Sequence, residues 1–196
     1  IRVRQVCPIS VGVVVVDVLV EERGGDIEAL GGGEADLARS RPVVQQSVGT
    51  EVVAHVQLGQ QVTVAAAGTL MRRLVERCGS VTPERVIAAD LSNMGMPGKR
   101  VDAIRSFAQA VCEGRVDFEQ PWPQLEAALQ TLPGFGPWTR AYLGIRLGRD
   151  PDSFPHTDLG LIRAANADSP LQLLELAESW RPYRAYAATY LWAVNV

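Results

Sequence analysis

A short segment with the sequence L-P-G-F-G-P-W-T has the residue types of a tight, phosphate-binding turn between two helices. Gly134 and Gly136 suit such a turn because glycine takes positive φ at low cost and lets a ligand approach the main chain. Pro137 favours the first turn of the next helix, where its missing N–H costs nothing. The N–H groups at that helix start, from Trp138 and Thr139, would donate to a phosphate oxygen with help from the helix dipole. A plain corner between two helices is the alternative interpretation.

A second segment, F-P-H-T-D-L-G, comes later in the chain and contains His156, Thr157 and Asp158. Thr157 and Asp158 are good N-cap residues for the apolar stretch that follows them. An isolated aspartate of this kind is interpreted as a helix cap, although capping and a catalytic role can coexist. His156 has the chemistry of a base, but packing or a main-chain hydrogen bond is the simpler interpretation. Tryptophans at helical spacing are ordinarily core residues, and this applies to Trp138, Trp180 and Trp192.

The charge balance limits how the chain could bind nucleic acid. Its 196 residues include 19 Lys and Arg against 22 Asp and Glu, which gives a formal net charge of −3. A protein that binds nucleic acid by bulk electrostatics would be basic. Any contact with DNA must therefore come from local geometry such as the glycine turn. The cysteines, Cys7, Cys78 and Cys112, form no C-x-x-C pair, which excludes a zinc ribbon or a four-thiolate cluster and favours a reducing compartment.

Residues 1–49 differ from the rest in composition and residue pattern, and they are predicted to be a separate, truncated α/β segment. Val11–Val20 is rich in β-branched residues and predicts a strand, and it is too short and interrupted to span a membrane. One strand cannot close a sheet, because its main-chain groups stay unpaired. The segment is therefore interpreted either as a fragment of a larger sheet domain or as poorly ordered.

Residues 50–196 predict a helical domain whose apolar residues recur at helical spacing. The predicted helices cover Glu51–Leu58, Thr63–Arg77, a segment from Pro83 with Thr82 as N-cap, Lys99–Cys112, Leu125–Leu132, Trp138–Leu147, Asp158–Ala165, Ser169–Ser179 and Tyr183–Ala193. The glycine turn joins the fifth and sixth of these helices, and Asp158 opens the seventh.

The hairpin, the aspartate after it and the helical pair that follows resemble the helix-hairpin-helix DNA glycosylase superfamily, most closely its 3-methyladenine DNA glycosylase II (AlkA) type. Further segments agree in order: L-G-Q-Q-V-T-V-A-A-A from Leu58, G-M-P before Lys99, and W-R-P-Y-R-A-Y-A from Trp180. The resemblance runs from Val48 to Ala193. It implies a mainly α fold, with helix-hairpin-helix glycosylase helical domains forming two lobes around a cleft and a short β-containing remnant before them.

The resemblance also implies roles for individual residues. It assigns Asp158 as the catalytic carboxylate; Trp138, Tyr142 and Trp192 as the base pocket; Gln61 as the wedge that fills the gap left by a flipped nucleotide; Gly134, Gly136, Trp138 and Thr139 as contacts to the DNA backbone; and the carbonyls of Gln130, Leu132 and Phe135 as a site for Na⁺ or K⁺. No other cofactor is implied. Trp138 stands where strand-nicking relatives carry a Schiff-base lysine, and an indole cannot form an imine.

The function implied by the resemblance is a monofunctional glycosylase that flips and excises alkylated bases from double-stranded DNA in base excision repair. Such an enzyme is expected to be a cytoplasmic bacterial monomer without a membrane anchor. Asp158 would stabilise the oxocarbenium-like sugar and activate water. Because an electron-rich indole prefers a cationic base, the pocket is expected to select by charge and to be broad in specificity.

Three alternatives stay open from the sequence. The chain could be a helix-hairpin-helix module that binds DNA without catalysis, a non-functional remnant, or a strand-nicking relative. AlkA-type proteins carry a complete N-terminal α/β domain, whereas fewer residues precede the helical part here. That difference indicates either a short architecture or a truncated product.

Overall fold

The computed structural model describes residues 48–60 and 62–194, and this part of the chain is helical with connecting turns. The helices are α1 (48–59), α2 (Val64–Cys78), α3 (Pro83–Ala88), α4 (Gly98–Cys112), α5 (Trp122–Gln130), α6 (Pro137–Arg146), α7 (Leu159–Ala164), α8 (Pro170–Ala177) and α9 (Arg184–Val194), with a 3₁₀ turn at Glu178–Trp180. No strand occurs among the described residues, which confirms the mainly α prediction. The predicted strand Val11–Val20 lies outside the described residues. None of the described helices is both long and apolar enough to cross a membrane.

Four of the described helices begin after a serine, threonine or aspartate at the N-cap position: Thr63, Thr82, Asp158 and Ser169. Thr63 accepts a hydrogen bond from the N–H of Ala66, and Ser169 accepts one from the N–H of Gln172. These side chains satisfy N–H groups that have no partner inside the helix. Thr82 occupies the N-cap position of α3 but its side chain makes no capping bond. The boundaries of the other helices differ from the prediction by a few residues.

The helices pack around three groups of buried side chains. The first group lies between α1, α2, α3 and α4 and includes Ala54, Leu58, Leu70, Leu74, Val86, Ile104 and Ala108. The second joins the other faces of α1 and α4 to α5, the hairpin and α6, and it includes Val53, Phe107, Val111, Leu125, Leu129, Phe135 and Leu143. The third lies under α7, α8 and α9 and includes Phe154, Leu161, Leu173, Ala177 and Ala188. Helices α1 and α4 therefore contribute to two cores and support the hairpin from behind.

A glycine in the last turn of α6 brings this helix close to the loop that precedes Asp158. A Cβ on Gly144 would overlap the hydroxyl of Ser153 and lie 2.9 Å from the Trp122 ring. Ser153 in turn donates to the carboxylate of Asp150 at 2.9 Å. Because α6 also carries Trp138, this close approach sets the distance between Trp138 and Asp158.

A partly buried ion pair fixes α9 to the same loop. The guanidinium of Arg184 binds both oxygens of Asp152, from Nε to Oδ1 and from Nη2 to Oδ2, each at 2.8 Å. The side chains are only 12% and 21% exposed, respectively. The N–H of Ala185 adds a bond to the carbonyl of Pro151 at 2.9 Å. The pair therefore holds the helix that carries Trp192 against the segment that leads to Asp158.

We expect Asp152→Asn to lower the free energy of unfolding at pH 7 by about 2 kcal/mol, because it removes one partner of a charged, bidentate hydrogen bond. Burial works to raise the pKa of Asp152, but the hydrogen bond and charge of Arg184, followed by the charge of Arg181, outweigh it and hold the pKa below its ordinary value. The stabilisation by this ion pair is therefore fully present above the pKa that Asp152 has in the unfolded chain. It is lost as the pH falls through the lower pKa of Asp152 in the folded protein.

Urea denaturation at pH 7 and at acidic pH checks this prediction. The gap between the wild type and Asp152→Asn should narrow as the solution becomes acidic. Glu178→Gln is the matched control, since Glu178 binds the same arginines from an exposed position and should change stability little. An equal loss of stability in Asp152→Asn and Glu178→Gln would contradict the view that the bond between Asp152 and Arg184 contributes more than the exposed pairs of Glu178.

Candidate active site and nucleic-acid interface

The carboxylate of Asp158 is held by three N–H donors from three helices. As the N-cap of α7, its Oδ1 accepts the N–H of Leu161 at 3.0 Å. The same oxygen accepts Trp192 Nε1 at 3.1 Å, and Oδ2 accepts Trp138 Nε1 at 2.9 Å. The side chain is half-buried. The predicted cap is confirmed, and the two indoles fix the direction in which the carboxylate points.

The three aromatic residues predicted as a pocket lie together beside this carboxylate. The rings of Trp138 and Tyr142 stack with centroids 5.0 Å apart and planes 16° apart. Tyr142 and Trp192 meet edge to face at 5.3 Å. All three side chains are half-buried. Trp138 and Tyr142 are one helical turn apart on α6, so the cluster is assembled when α9 brings Trp192 against them.

Gly160 makes room for this arrangement, and the sequence analysis did not single it out. A Cβ at this position would stand 3.0 Å from Oδ1 of Asp158 and 3.6 Å from Cδ1 of Trp192. A side chain there would therefore crowd the carboxylate oxygen that accepts the indole N–H of Trp192. The signal in the sequence was a glycine two residues after a capping aspartate, which has no helix-forming reason of its own.

Arg146 is a second residue that the sequence analysis missed. Its Nη2 donates to the hydroxyl of Tyr142 at 2.7 Å, and its Cζ lies 4.9 Å from the centre of that ring. Burial, and then the positive charge of Arg146, lower the pKa of His55 below its ordinary value. Both effects favour the neutral form of the His55 imidazole. Tyr142 and Arg146 are one turn apart on α6, and that spacing was the available signal.

The hairpin between α5 and α6 has the tight turn that the sequence predicts, but only one of its glycines has positive φ. Gly134 has φ +82°, and a Cβ there would lie 2.9 Å from the Cβ of Ala103 on α4. Gly136 has φ −65° and ψ 174° as the N-cap of α6, so the expectation that both glycines serve by positive φ is wrong for Gly136. The reason is that Pro137 follows, and the residue before a proline favours extended main chain. A Cβ on Gly136 would meet nothing within 4 Å.

The N–H groups of Trp138 and Thr139 lie in the first turn of α6, where helix geometry supplies no acceptor. The Thr139 side chain, however, is 4% exposed. Its hydroxyl donates to the carbonyl of Gly134 at 3.5 Å. The predicted contact of Thr139 with DNA can therefore come from its main chain and not from its hydroxyl.

A buried chain of amides connects α1 to this hairpin. Gln57, which is 1% exposed, donates from Nε2 to the carbonyl of Gly134 at 3.1 Å. Gln60 donates from its own Nε2 to Oε1 of Gln57 at 3.1 Å and to the hydroxyl of Thr139 at 3.0 Å. The end of α1 and the hairpin are thus held in a fixed relation. Gln61, the predicted wedge, lies outside the described residues.

The carbonyls predicted to hold a monovalent cation lie at the end of α5 and in the hairpin. One of them, the carbonyl of Phe135, accepts a hydrogen bond from Nη1 of Arg140 at 2.7 Å. A guanidinium is a permanent cation. This residue does not fit the predicted role, because a second cation on the same oxygen would be repelled by the first.

The described residues thus place a tight turn between two helices beside an aspartate in an aromatic cluster. The family described as "HhH-GPD superfamily base excision DNA repair protein" matches residues 54–178, and the chain belongs to this superfamily. It is 34% identical over 151 residues to the DNA-3-methyladenine glycosylase 2 of Escherichia coli (strain K12), which covers 69% of this chain and 54% of that protein.

Two further comparisons agree with this assignment. A probable bifunctional transcriptional activator/DNA repair enzyme AlkA of Mycobacterium tuberculosis is 31% identical over 194 residues, covering 85% of this chain and 38% of that protein. The chain therefore spans about half the length of the E. coli relative and less of the mycobacterial one. The structure of the Schizosaccharomyces pombe 3-methyladenine DNA glycosylase Mag1 in complex with abasic DNA superposes with a TM-score of 0.66 at 25% identity, covering 74% of this chain and 79% of that one.

Proposed function

We propose that this chain is a monofunctional DNA glycosylase that removes alkylated purines, of the 3-methyladenine and 7-methylguanine type, from double-stranded DNA in base excision repair. The observation that carries the proposal is the Asp158 carboxylate, which two indoles hold at the edge of an aromatic cluster. The names of its relatives and the bound abasic DNA of the yeast glycosylase add support. The protein would act as a monomer.

DNA would be bound through the main chain of the hairpin. The N–H groups of Trp138 and Thr139 and the positive end of the α6 dipole favour a phosphate oxygen at this point. Gly136 leaves the approach open, since no side chain stands there. This mode of binding does not need a basic surface, and it suits a chain with a net charge of −3.

The chemistry follows from where charge develops. An alkylated purine is cationic while attached to the sugar, so the electron pair of the breaking glycosidic bond neutralises it as it leaves. The sugar becomes oxocarbenium-like, and the carboxylate of Asp158 would stabilise this cation. Water then adds to the anomeric carbon, and Asp158 is placed to take up its proton. The extruded base regains part of the lost stacking energy on the faces of Trp138 and Trp192.

Strand cleavage through an imine is not part of the proposed reaction. Lys99 is the only lysine in the sequence. It lies in the first turn of α4, while the cluster is built on α6, α7 and α9. Treatment of a reaction mixture with borohydride should therefore trap no covalent adduct between the protein and DNA.

A base-release assay tests the proposal directly. Duplex DNA is methylated with dimethyl sulfate and incubated with the full chain, and the free bases are separated by chromatography. Release of 3-methyladenine and 7-methylguanine is the expected result. Binding of the duplex without release of any base would instead favour a DNA-binding module without catalysis.

We expect Trp138→Phe to lower the rate of base release by about thirtyfold, because it removes one charge-assisted hydrogen bond worth about 2 kcal/mol while keeping an aromatic ring. Binding to an abasic duplex should stay within about twofold, since the main-chain N–H groups of the hairpin are unchanged.

The matched control for this variant is Trp180→Phe, which makes the same substitution where the indole packs on Phe154 outside the cluster. Single-turnover rates measured on methylated duplex separate the two variants. A loss in Trp180→Phe as large as that in Trp138→Phe would show that the bond to Asp158 has no special role.

A further inference from the structure

Arg140 is fixed at the hairpin by contacts with three elements. It belongs to the second turn of α6, its Nη1 donates to the Phe135 carbonyl at 2.7 Å, and its Nε lies 3.5 Å from Oε1 of Glu126 on α5. Its side chain is 13% exposed. Its own N–H donates to the carbonyl of Gly136 at 3.0 Å. The guanidinium is therefore a positive charge of fixed position, directly beside the turn.

The position of this charge conflicts with an alkali cation at the same carbonyls. Phe135 contributes one of the three carbonyls in the implied set, and its oxygen already accepts from a cation that cannot lose its proton. A metal ion on that oxygen would place two positive charges about 4 Å apart. Glu126 could offset only part of this repulsion, because it is 42% exposed and screened by solvent.

We propose that Arg140 is the hairpin's own tethered cation, so that DNA binding by this chain does not require Na⁺ or K⁺. The inference rests on the DNA binding of the proposed function. A guanidinium has five N–H donors. Within the described part of the chain, the guanidinium of Arg140 donates to two groups, the main-chain carbonyl of Phe135 and the carboxylate of Glu126. The guanidinium thus keeps donors and charge for the phosphate that the N–H groups of α6 would bind.

Binding measurements at constant ionic strength test the inference. The probe is a fluorescent duplex that carries a stable abasic-site analogue, and KCl is replaced stepwise by tetramethylammonium chloride. The full chain is compared with Arg140→Ala and with Arg140→Gln, which keeps an N–H donor but removes the charge. Arg77→Ala is the matched control, since Arg77 also donates to a main-chain carbonyl, that of Asp90, at the end of α2. Circular dichroism at the assay temperature shows which variants are folded.

The wild type is expected to bind with the same Kd, within about twofold, in both salts. Arg140→Ala and Arg140→Gln should bind about tenfold more weakly than Arg77→Ala in tetramethylammonium, because a charge-assisted contact is lost. Partial recovery in KCl would show that an alkali ion can enter once the guanidinium is removed.

Two results would overturn the inference while leaving the proposed function intact. One is a wild type whose affinity falls tenfold when K⁺ is withdrawn, since the cation site would then be in use. The other is a folded Arg140→Gln that binds as well as Arg77→Ala in both salts. A wild type that binds no duplex in either salt would overturn the proposed function and the inference together.

Discussion

Replacing Asp158 with asparagine should lower the rate of base release by about a thousandfold. A carboxylate about 4 Å from a cationic sugar, at an effective dielectric of about 20, stabilises it by roughly 4 kcal/mol, and asparagine has no charge to do so. The amide also offers one oxygen in place of two. One of the two indole N–H groups that now bind Asp158 would face an NH₂ group instead.

The same substitution should keep the N-cap of α7, which separates the two roles of the residue. Asparagine is as good an N-cap as aspartate, so the bond from the N–H of Leu161 is retained. The measurements are the single-turnover rate on methylated duplex, the midpoint of thermal unfolding and the affinity for abasic duplex. Asp90→Asn, in an exposed turn, is the control for the loss of a carboxylate. A rate within tenfold of the wild type would mean that Asp158 is a cap and nothing more.

The second large effect is expected when alanine replaces either glycine of the hairpin. The two variants, Gly134→Ala and Gly136→Ala, should differ in stability and in DNA binding. Gly134→Ala forces a side chain onto φ +82° and into contact with Ala103. We expect it to lower the free energy of unfolding by about 2–3 kcal/mol and to abolish specific DNA binding. Gly136→Ala meets neither obstacle, since its φ is −65° and the space beyond it is open. It should fold as stably as the wild type.

Gly136→Ala should nevertheless weaken DNA binding by about tenfold or more, because its methyl group would hold a phosphate away from the N–H groups of α6. Urea denaturation and fluorescence anisotropy on an abasic duplex give both quantities for both variants. Unimpaired binding by a stable Gly136→Ala would show that DNA does not approach the hairpin from this side. Unimpaired stability of Gly134→Ala would contradict the packing of the turn against α4.

Local signals in the sequence were sufficient to place the helices and the turn. Apolar residues at helical spacing, with Thr82, Asp158 and Ser169 ahead of them, predict helix starts that the structure has. These signals act within one or two helical turns, so they need no knowledge of the fold. Helix α5 begins at Trp122 and not at Leu125, where the sequence predicts its start. The reason is that Pro123 fits the first turn of a helix, whereas the prediction places it before the helix.

Long polar side chains that cross between elements are the least predictable from the sequence. Arg73 donates to the carbonyl of Met94 and Arg100 donates to the carbonyl of Gln60, and no local pattern predicts either bond. The buried amide of Gln57 was not noticed at all. A glutamine in a helix carries no local mark of burial, because its partner, the carbonyl of Gly134, is supplied by a segment far away in the chain.

The order and type of residues alone determined the helical class and the glycine turn, because both depend on short-range spacing. The choice of Asp158 and of the aromatic residues Trp138, Tyr142 and Trp192 came from the resemblance to a known family. The tertiary structure alone decided that Trp138 and Trp192 donate to opposite oxygens of one carboxylate. That arrangement depends on how α6, α7 and α9 pack, and packing brings together side chains that no local pattern in the sequence relates.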